Sequence, residues 1–421
     1  MSSSTIAGTD LPATAPLPGP AAGSRAAAGV LAVSGWGILS SLGIGADDFA
    51  PAWRERQSGM RDVSGMYETP LPVEQACALT NFSVREHLGR KGTSFFDRTT
   101  SLTVVTCGLA LKDSDLEVDD ANRGEVGIAI GSTTGGVQSL CDFITETIVN
   151  DPPYLVNPVL FPYAVMNGAA SSAAIWYQLR GVNTTVSDGQ LSFLAVLKYA
   201  RNQIRNDYVE AMVAGAVEEF SPHRAWAAQK LRGGQEGRSP LGEGAAAFVV
   251  ESAQRMRAAG RRPDAEILAI ETGLYDPPLS GAGSGADGHR DPGAGLAECI
   301  TKALAGAGIR PEEVRMVASS LAGSPVREDV ERRAITSVLG PDALTVAAPG
   351  SAPIVLLPVK DLLGETYSAS GALQLAAILS EHRGVPELDG AVSVLTSVTT
   401  EGLVGAAVVR GWSRADGDQR S

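Results

Sequence analysis

Apolar residues along this chain gather in short unbroken runs rather than alternating ones. They stand at 30–35 (VLAVSG), 126–131 (VGIAIG), 211–216 (AMVAGA), 246–251 (AAFVVE), 265–270 (AEILAI), 315–320 (RMVASS), 391–396 (AVSVLT) and 403–409 (LVGAAVV). Continuous hydrophobicity over strand length predicts strands covered on both faces. Segments of helical character separate many of them, at 192–206, 296–307, 329–339 and 370–382, with glycines at the ends. The pattern predicts an α/β protein whose sheets lie buried between helix layers.

Composition narrows the class. The 421 residues leave room for two or three domains, or for one large duplicated unit. Hydrophobic content of 44% against 19% charged supplies ample core material. A net charge of −13 gives no general attraction for nucleic acid or an anionic membrane. No apolar run approaches the ~18–20 residues that span a bilayer. Residues 1–28 are rich in Ala, Ser and Pro and lack a basic start followed by an apolar core. They are expected to be a disordered tail, not a secretory signal. The Gly/Pro-rich stretch 276–295 is expected to be a surface loop, and 413–421 a polar tail. Cys77, Cys107, Cys141 and Cys299 form no C-x-x-C pair, and His87, His223, His289 and His382 are equally scattered. Neither set suggests a metal site or a disulfide scaffold, and buried thiols in a reducing cytoplasm are the expectation.

The segment 182–204 (VNTTVSDGQLSFLAVLKYARNQI) reads as strand, tight turn and helix, with Leu191, Leu194, Leu197 and Ala200 on one stripe. Such an elbow aims one side chain and several free N–H groups into a cavity, an arrangement suited to nucleophilic catalysis. The residue in that position is Gln190, and an amide is not a nucleophile.

Several motifs around the elbow occur in a recognisable order. They are IAIGSTTGG at 128–136, NPVLFPYAVMNGAASSAAIWYQLRG at 157–181, AMVAGAVEEFSP at 211–222 and PLGEGAAAFVVES at 240–252. With the elbow, this succession resembles a β-ketoacyl synthase of the thiolase superfamily over nearly the whole ordered length. The resemblance implies a five-layered αβαβα fold from two pseudo-symmetric halves, 29–270 and 271–412. It also places the family's catalytic Cys at Gln190. Its first catalytic His falls at Ser320, in SSLAGSPVREDVE, and its second at Glu365, after VKDLLG at 359–364. TTEGLV at 399–404 stands in place of the family's glycine-rich gating loop. Glu331 and Lys360 match what resembles a buried acid–lysine support pair.

Claisen condensation needs a thiolate to carry the acyl chain and donors that stabilise the enolate as carbon dioxide leaves. Gln190 cannot be acylated, Ser320 is a weak donor, and Glu365 would bring negative charge toward the enolate. A ketosynthase-like chain with glutamine for cysteine resembles the chain length factor of type II polyketide synthases, a subunit that pairs with a competent ketosynthase and shares its acyl tunnel. The resemblance therefore implies a non-condensing heterodimer partner with no cofactor, inactive alone, with acyl carrier protein docking mainly through the ketosynthase. An alternative is a malonyl-carrier-protein decarboxylase, because glutamine also replaces the cysteine in loading-type ketosynthase domains. Those domains keep both histidines, and this chain keeps neither. A third reading is a scaffold unrelated to polyketides.

Further expectations attach to three segments. Val137, Leu140, Cys141, Ile144 and Ile148 form an apolar stripe on the helix after Gly136, opposite Gln138, Ser139, Asp142, Thr145 and Glu146. In chain length factors this helix lines the tunnel, which implies tunnel positions for Ser139, Asp142 and Glu146. None is aromatic, leaving room for a reduced, polyene-type product. The β-branched residues at 182–186 suit an edge strand through which the family dimerises. Arg255, Arg257, Arg261 and Arg262 form a local basic cluster.

Overall fold

The computed structural model describes residues 29–114, 116–232, 239–274, 292–321, 325–346, 354–399 and 401–413. The tail at 1–28, most of the loop at 276–295 and all but the first residue of the tail at 413–421 lie outside the described residues. Ten main strands run in chain order as β1 Leu31–Ser40, β2 Val126–Gly131, β3 Asn183–Val186, β4 Ala211–Glu218, β5 Gly244–Ser252, β6 Ala265–Leu274, β7 Val314–Ala318, β8 Val355–Leu357, β9 Val392–Val398 and β10 Leu403–Gly411. The principal helices are α1 Arg98–Asp113, α2 Val137–Val149, α3 Gly168–Trp176, α4 Ser192–Arg205, α5 Pro222–Arg232, α6 Pro292–Ala307, α7 Pro325–Leu339 and α8 Ser370–His382.

The first five strands lie in the order β3-β2-β4-β5-β1 and the second five in the order β8-β7-β9-β10-β6. Numbered within each half, both orders are the same. The parallel and antiparallel pattern repeats too: β2 is parallel to β3 and β4, β5 antiparallel to β4 and β1, and the second half follows suit. This is the internal duplication that the length permits. A short antiparallel ladder of Leu31, Ala32 and Val33 with Ile267, Glu266 and Ala265 joins the two first strands. The strand order counts β6 with the second half, so the division drawn at 270/271 passes through that strand.

Three hydrophobic clusters account for the five layers. One packs α1 and α3 on the outer face of the first half, through Leu102, Val105 and Ala173 against Ile128, Ile130 and Val213. The central one sandwiches α4 and α8 between both halves, with Leu194, Leu197, Leu373 and Ile378 against Phe248, Met212, Ile270 and Leu395. The third covers the second half with α6 and α7, through Leu296, Ile300 and Ile335 against Val317 and Val394. Within β2, Ile128 and Ile130 face the outer cluster while Ala129 faces the central one. That is why the strands read as continuous apolar runs. The αβαβα fold is the expected one.

His382 closes α8 inside this core, its ring against Gly411, where a Cβ would lie 2.3 Å from Nε2. Burial pushes its pKa from 6.5 down to about 4. The imidazole is neutral when folded and protonates first in the unfolded chain, so its stabilising contribution is present above pH 6.5 and is lost as pH falls toward 4. Between pH 7.5 and 5 this group alone is expected to remove about 2 kcal/mol. Urea unfolding of wild type and His382→Leu at both pH values checks this. Equal losses in the two proteins would exclude His382 as a source of acid sensitivity.

Candidate functional site

The elbow is built as the sequence suggests. Gly189 takes φ +55°, a left-handed conformation that glycine accepts without strain. Ser192 Oγ donates to Gly189 O (2.7 Å) and accepts from Asp188 N (2.9 Å), fixing the turn. Gln190 is buried in the turn Gly189–Leu191, immediately before the buried helix α4. Its carbonyl accepts from Ser397 Oγ of β9 at 2.9 Å.

The neighbouring residue on β9, Thr396, leads to the next site position. Its hydroxyl donates to Glu331 Oε1 (2.5 Å), and Ser320 gives the same carboxyl two bonds, from N to Oε1 and from Oγ to Oε2, both 2.9 Å. Burial raises the Glu331 pKa, opposed by these hydrogen bonds and by the Lys360 charge. Ser320 therefore spends its hydroxyl on Glu331 instead of offering it to an oxyanion.

Lys360 and Glu365 make the third part. The Lys360 ammonium donates to Glu365 Oε2 at 2.9 Å, with both side chains almost wholly buried, and Glu365 Oε1 accepts from Tyr367 N at 3.0 Å. Among the described residues Lys360 forms its direct ion pair with Glu365, while its charge also acts on the equally buried Glu331. Glu365 accordingly brings a neutralised pair to the site, not an isolated negative charge.

A second buried ion pair was not legible in the sequence. Arg224 of α5 pairs with Glu218, which also accepts from Ser368 Oγ (2.6 Å) and Thr133 Oγ1 (2.5 Å). The Arg224 guanidinium lies 5.0 Å from the Tyr367 ring centroid, and Tyr367 itself sits at φ +43°. Gln190, and Ser320 through Glu331, meet at Ser397 and Thr396 of β9, and Lys360 stands close enough for its charge to act on Glu331. No thiol stands at the elbow. Cys77, Cys107 and Cys299 are buried, and burial pushes their pKa values up to about 11, 12 and 11.

Helix α2 lies on the surface, with Ser139 its only fully buried residue. Ser139 Oγ turns inward to Asp97 Oδ2 (3.2 Å). Asp142 is exposed and accepts from Gln138 Nε2 (2.9 Å), while the half-buried Glu146 accepts from Asn157 N (2.5 Å). The apolar stripe faces outward instead of into a core, with Ile144 and Ile148 46% and 76% exposed. An aromatic does occupy this helix: Phe143 packs on Phe161 with centroids 6.0 Å apart. Nearby Tyr154, Leu155, Phe161 and Ile175 are also exposed. The basic cluster is neutralised in place, since Arg255, Arg257, Arg261 and Arg262 pair with Asp207, Glu266, Glu251 and Asp389.

Comparison with known proteins agrees with this architecture. The chain is 26% identical to 3-oxoacyl-acyl-carrier-protein synthase 2 of Coxiella burnetii over 364 residues, 81% of this chain and 83% of that protein. The Vibrio harveyi enzyme of the same name is also 26% identical, over 359 residues and the same shares. Among solved structures, the ishigamide ketosynthase/chain length factor matches with TM-score 0.77 and 29% identity, covering 91% of this chain and 99% of that one. A type II PKS ketosynthase solved with its acyl-carrier protein, AntDE:AntF, matches with TM-score 0.68 at 18% identity, covering 91% and 99%, and speaks to the fold alone. The β-ketoacyl synthase N-terminal domain matches residues 30–255 and the C-terminal domain residues 279–385. The chain is a member of the β-ketoacyl synthase family.

Proposed function

We propose that this chain is a non-condensing ketosynthase-like subunit, a chain length factor, that pairs with a catalytic ketosynthase and shapes the tunnel holding the growing polyketide. The observation carrying this reading is the elbow, where the buried residue is Gln190. The family's two histidine positions are held by Ser320 and Glu365, each committed to a buried partner. A fold kept intact around an inert centre suits a subunit that lends shape rather than a nucleophile. The 29% identity to a ketosynthase/chain length factor supports the same reading. So do the exposed Ile144 and Ile148 of α2 and, separately, the edge position of β3, since uncovered apolar surface and unpaired strand backbone each suit an interface. Obligate interfaces typically bury upward of about 2,000 Å².

Co-expression with a Cys-containing ketosynthase is the test. We expect a one-to-one heterodimer, with the chain alone poorly soluble. Polyketide formation is expected to vanish when the partner's nucleophilic cysteine is replaced and to persist with Gln190→Ala in this chain. Gln190→Cys in the isolated chain is expected to yield no condensation, because Ser320 and Glu365 supply no enolate donor. A monodisperse monomer, or an acyl adduct on any of the four native cysteines during turnover, would count decisively against the proposal. Carbon dioxide release from malonyl-carrier protein by the chain alone would favour the decarboxylase instead.

A further inference from the structure

The first turn of α2 rests on two carboxyl groups. Glu219, 1% exposed and next after β4, accepts from Gln138 N (3.0 Å) through Oε1 and from Thr99 Oγ1 (2.7 Å) through Oε2. Asp97, the N-cap of α1, accepts from Thr100 N (2.8 Å) through Oδ1 and from Ser139 Oγ through Oδ2. The loop before α2 presses onto Asp97, since a Cβ on Gly136 would lie 2.0 Å from Asp97 Oδ2.

The nearby cations make their direct contacts with other acids, although the Arg224 charge still reaches Glu219 and pulls its pKa down, and Arg98 feels the Glu219 charge. Arg98 bonds Glu243 through two nitrogens, and Arg224 pairs with Glu218. His223 Nδ1 lies 3.2 Å from Gln138 Oε1, and Asp142 is held by the Gln138 amide. Cys141 and Tyr67 feel the Glu219 charge, which adds to the rise of both their pKa values, and Tyr163 feels that of Asp97. Among the described residues no Lys or Arg forms an ion pair with Asp97 or Glu219.

We infer that Asp97 and Glu219 form a proton-dependent latch, which holds the N-terminal turn of α2 closed while the pair keeps a proton and releases it when the proton leaves. The geometry has a place for that proton. Neutral Glu219 can donate from Oε2 to Thr99 Oγ1, and Thr99 can turn its own hydroxyl to Gly135 O, 3.5 Å away. Oε1 still accepts from Gln138 N in that state. Ionised Glu219 instead places a second negative charge in the buried pair, and hydration by local opening relieves it.

The sign follows from the same physics. Burial first, and the Asp97 charge second, raise the Glu219 pKa from 4.5 to about 7, against the hydrogen bonds from Gln138 N and Thr99 and the charge of Arg224. An opened turn exposes the carboxylate to water and returns it toward its ordinary value. Closure is therefore strongest below pH 4.5 and weakens as pH rises to about 7. This is opposite in sign to the His382 effect and local to α2. If α2 lines the tunnel of the proposed heterodimer, the latch makes the tunnel wall responsive to pH.

Hydrogen–deuterium exchange of 137–149 in the full-length chain, corrected for intrinsic rates, tests the latch at pH 5.5 and 7.5. Each pH unit inside the window changes the opening constant by up to about tenfold. Wild type is expected to lose protection by roughly tenfold or more between the two values. Glu219→Gln preserves the shape and is permanently neutral, so it is expected to stay protected at both. Asp97→Asn removes the neighbouring charge and is expected to narrow the window. A flat wild-type response, or a Glu219→Gln response equal to wild type, would overturn the latch. Product profiles of the heterodimer at the two pH values report separately on the tunnel reading.

Discussion

Glu365→Ala is expected to destabilise the chain by about 3–5 kcal/mol, the cost of leaving a buried charge without its partner. The Lys360 side chain is 2% exposed, and Glu365 is its sole hydrogen-bond acceptor among the described residues. Removing the carboxylate leaves that ammonium without a direct ion-pair partner among the described residues, since the nearby Glu331 is engaged by Ser320 and Thr396, and also deletes the acceptor of Tyr367 N. Lys360→Met alone is expected to be costly for the mirror reason, since Glu365 then loses its counter-charge. The double variant Lys360→Met/Glu365→Gln removes both charges and keeps the bulk, and is expected to recover most of the loss. Urea unfolding of wild type, the two single variants and the double variant forms a double-mutant cycle. A cost below about 1 kcal/mol for Glu365→Ala would place the pair in the class of exposed bridges, and Lys360 and Glu365 would not be a mutually dependent buried pair. If Glu365 holds a family histidine position, as proposed, the cycle also bears on reactivation: Glu365→His would orphan the same lysine, so restoring that donor requires changing the ion pair as well.

The layered architecture was legible because its signal is local and repeated. Strands covered on both faces read as unbroken apolar runs, and all eight runs coincide with strands. Helix α1 was not legible. Its sequence, RTTSLTVVTCGLALKD, is dense in β-branched residues that disfavour helix. Burial against β1, β4 and β5 overrides that preference. The hydroxyls of Thr103 and Thr106 are satisfied by the carbonyls of Thr99 and Leu102, one turn back. Strand β8, three residues long, is too short to announce itself.

Site positions and site partners differ in the same way. Gln190 could be placed at the elbow from the strand–turn–helix pattern alone. Which acid Lys360 pairs with could not, because Glu331 and Glu365 are both acidic and the choice depends on the chain path after Gly364. Glu218 with Arg224, and Glu219 with Asp97, lie in segments whose meeting depends on the sheet order. Spacing could not reveal those contacts.

Asp142→Phe is expected to shorten the product of the reconstituted heterodimer by at least one two-carbon unit while assembly and the partner's cysteine chemistry persist. In the chain alone Asp142 is exposed, and its carboxylate is engaged by Gln138 of its own helix. In the proposed heterodimer α2 becomes a wall only with the partner in place, and the tunnel reading puts the Asp142 face of the helix, not the outward Ile144 and Ile148, toward the chain. A phenyl ring at 142 then adds bulk beside the existing Phe143–Phe161 pair without disturbing the buried Ser139–Asp97 contact. A carboxylate enclosed there would be costly unless paired, which implies a donor on the partner. Asp142→Ala separates the two contributions, since it removes the charge and adds no bulk. It is expected to weaken assembly slightly and leave product length unchanged. Glu146→Phe gives a parallel case one turn further along, where loss of the Asn157 contact loosens the following loop as well. Product masses from the assembled complexes decide the matter. If Asp142→Phe assembles and yields the wild-type length distribution, α2 does not bound the chain, and length must be set elsewhere in the shared cavity.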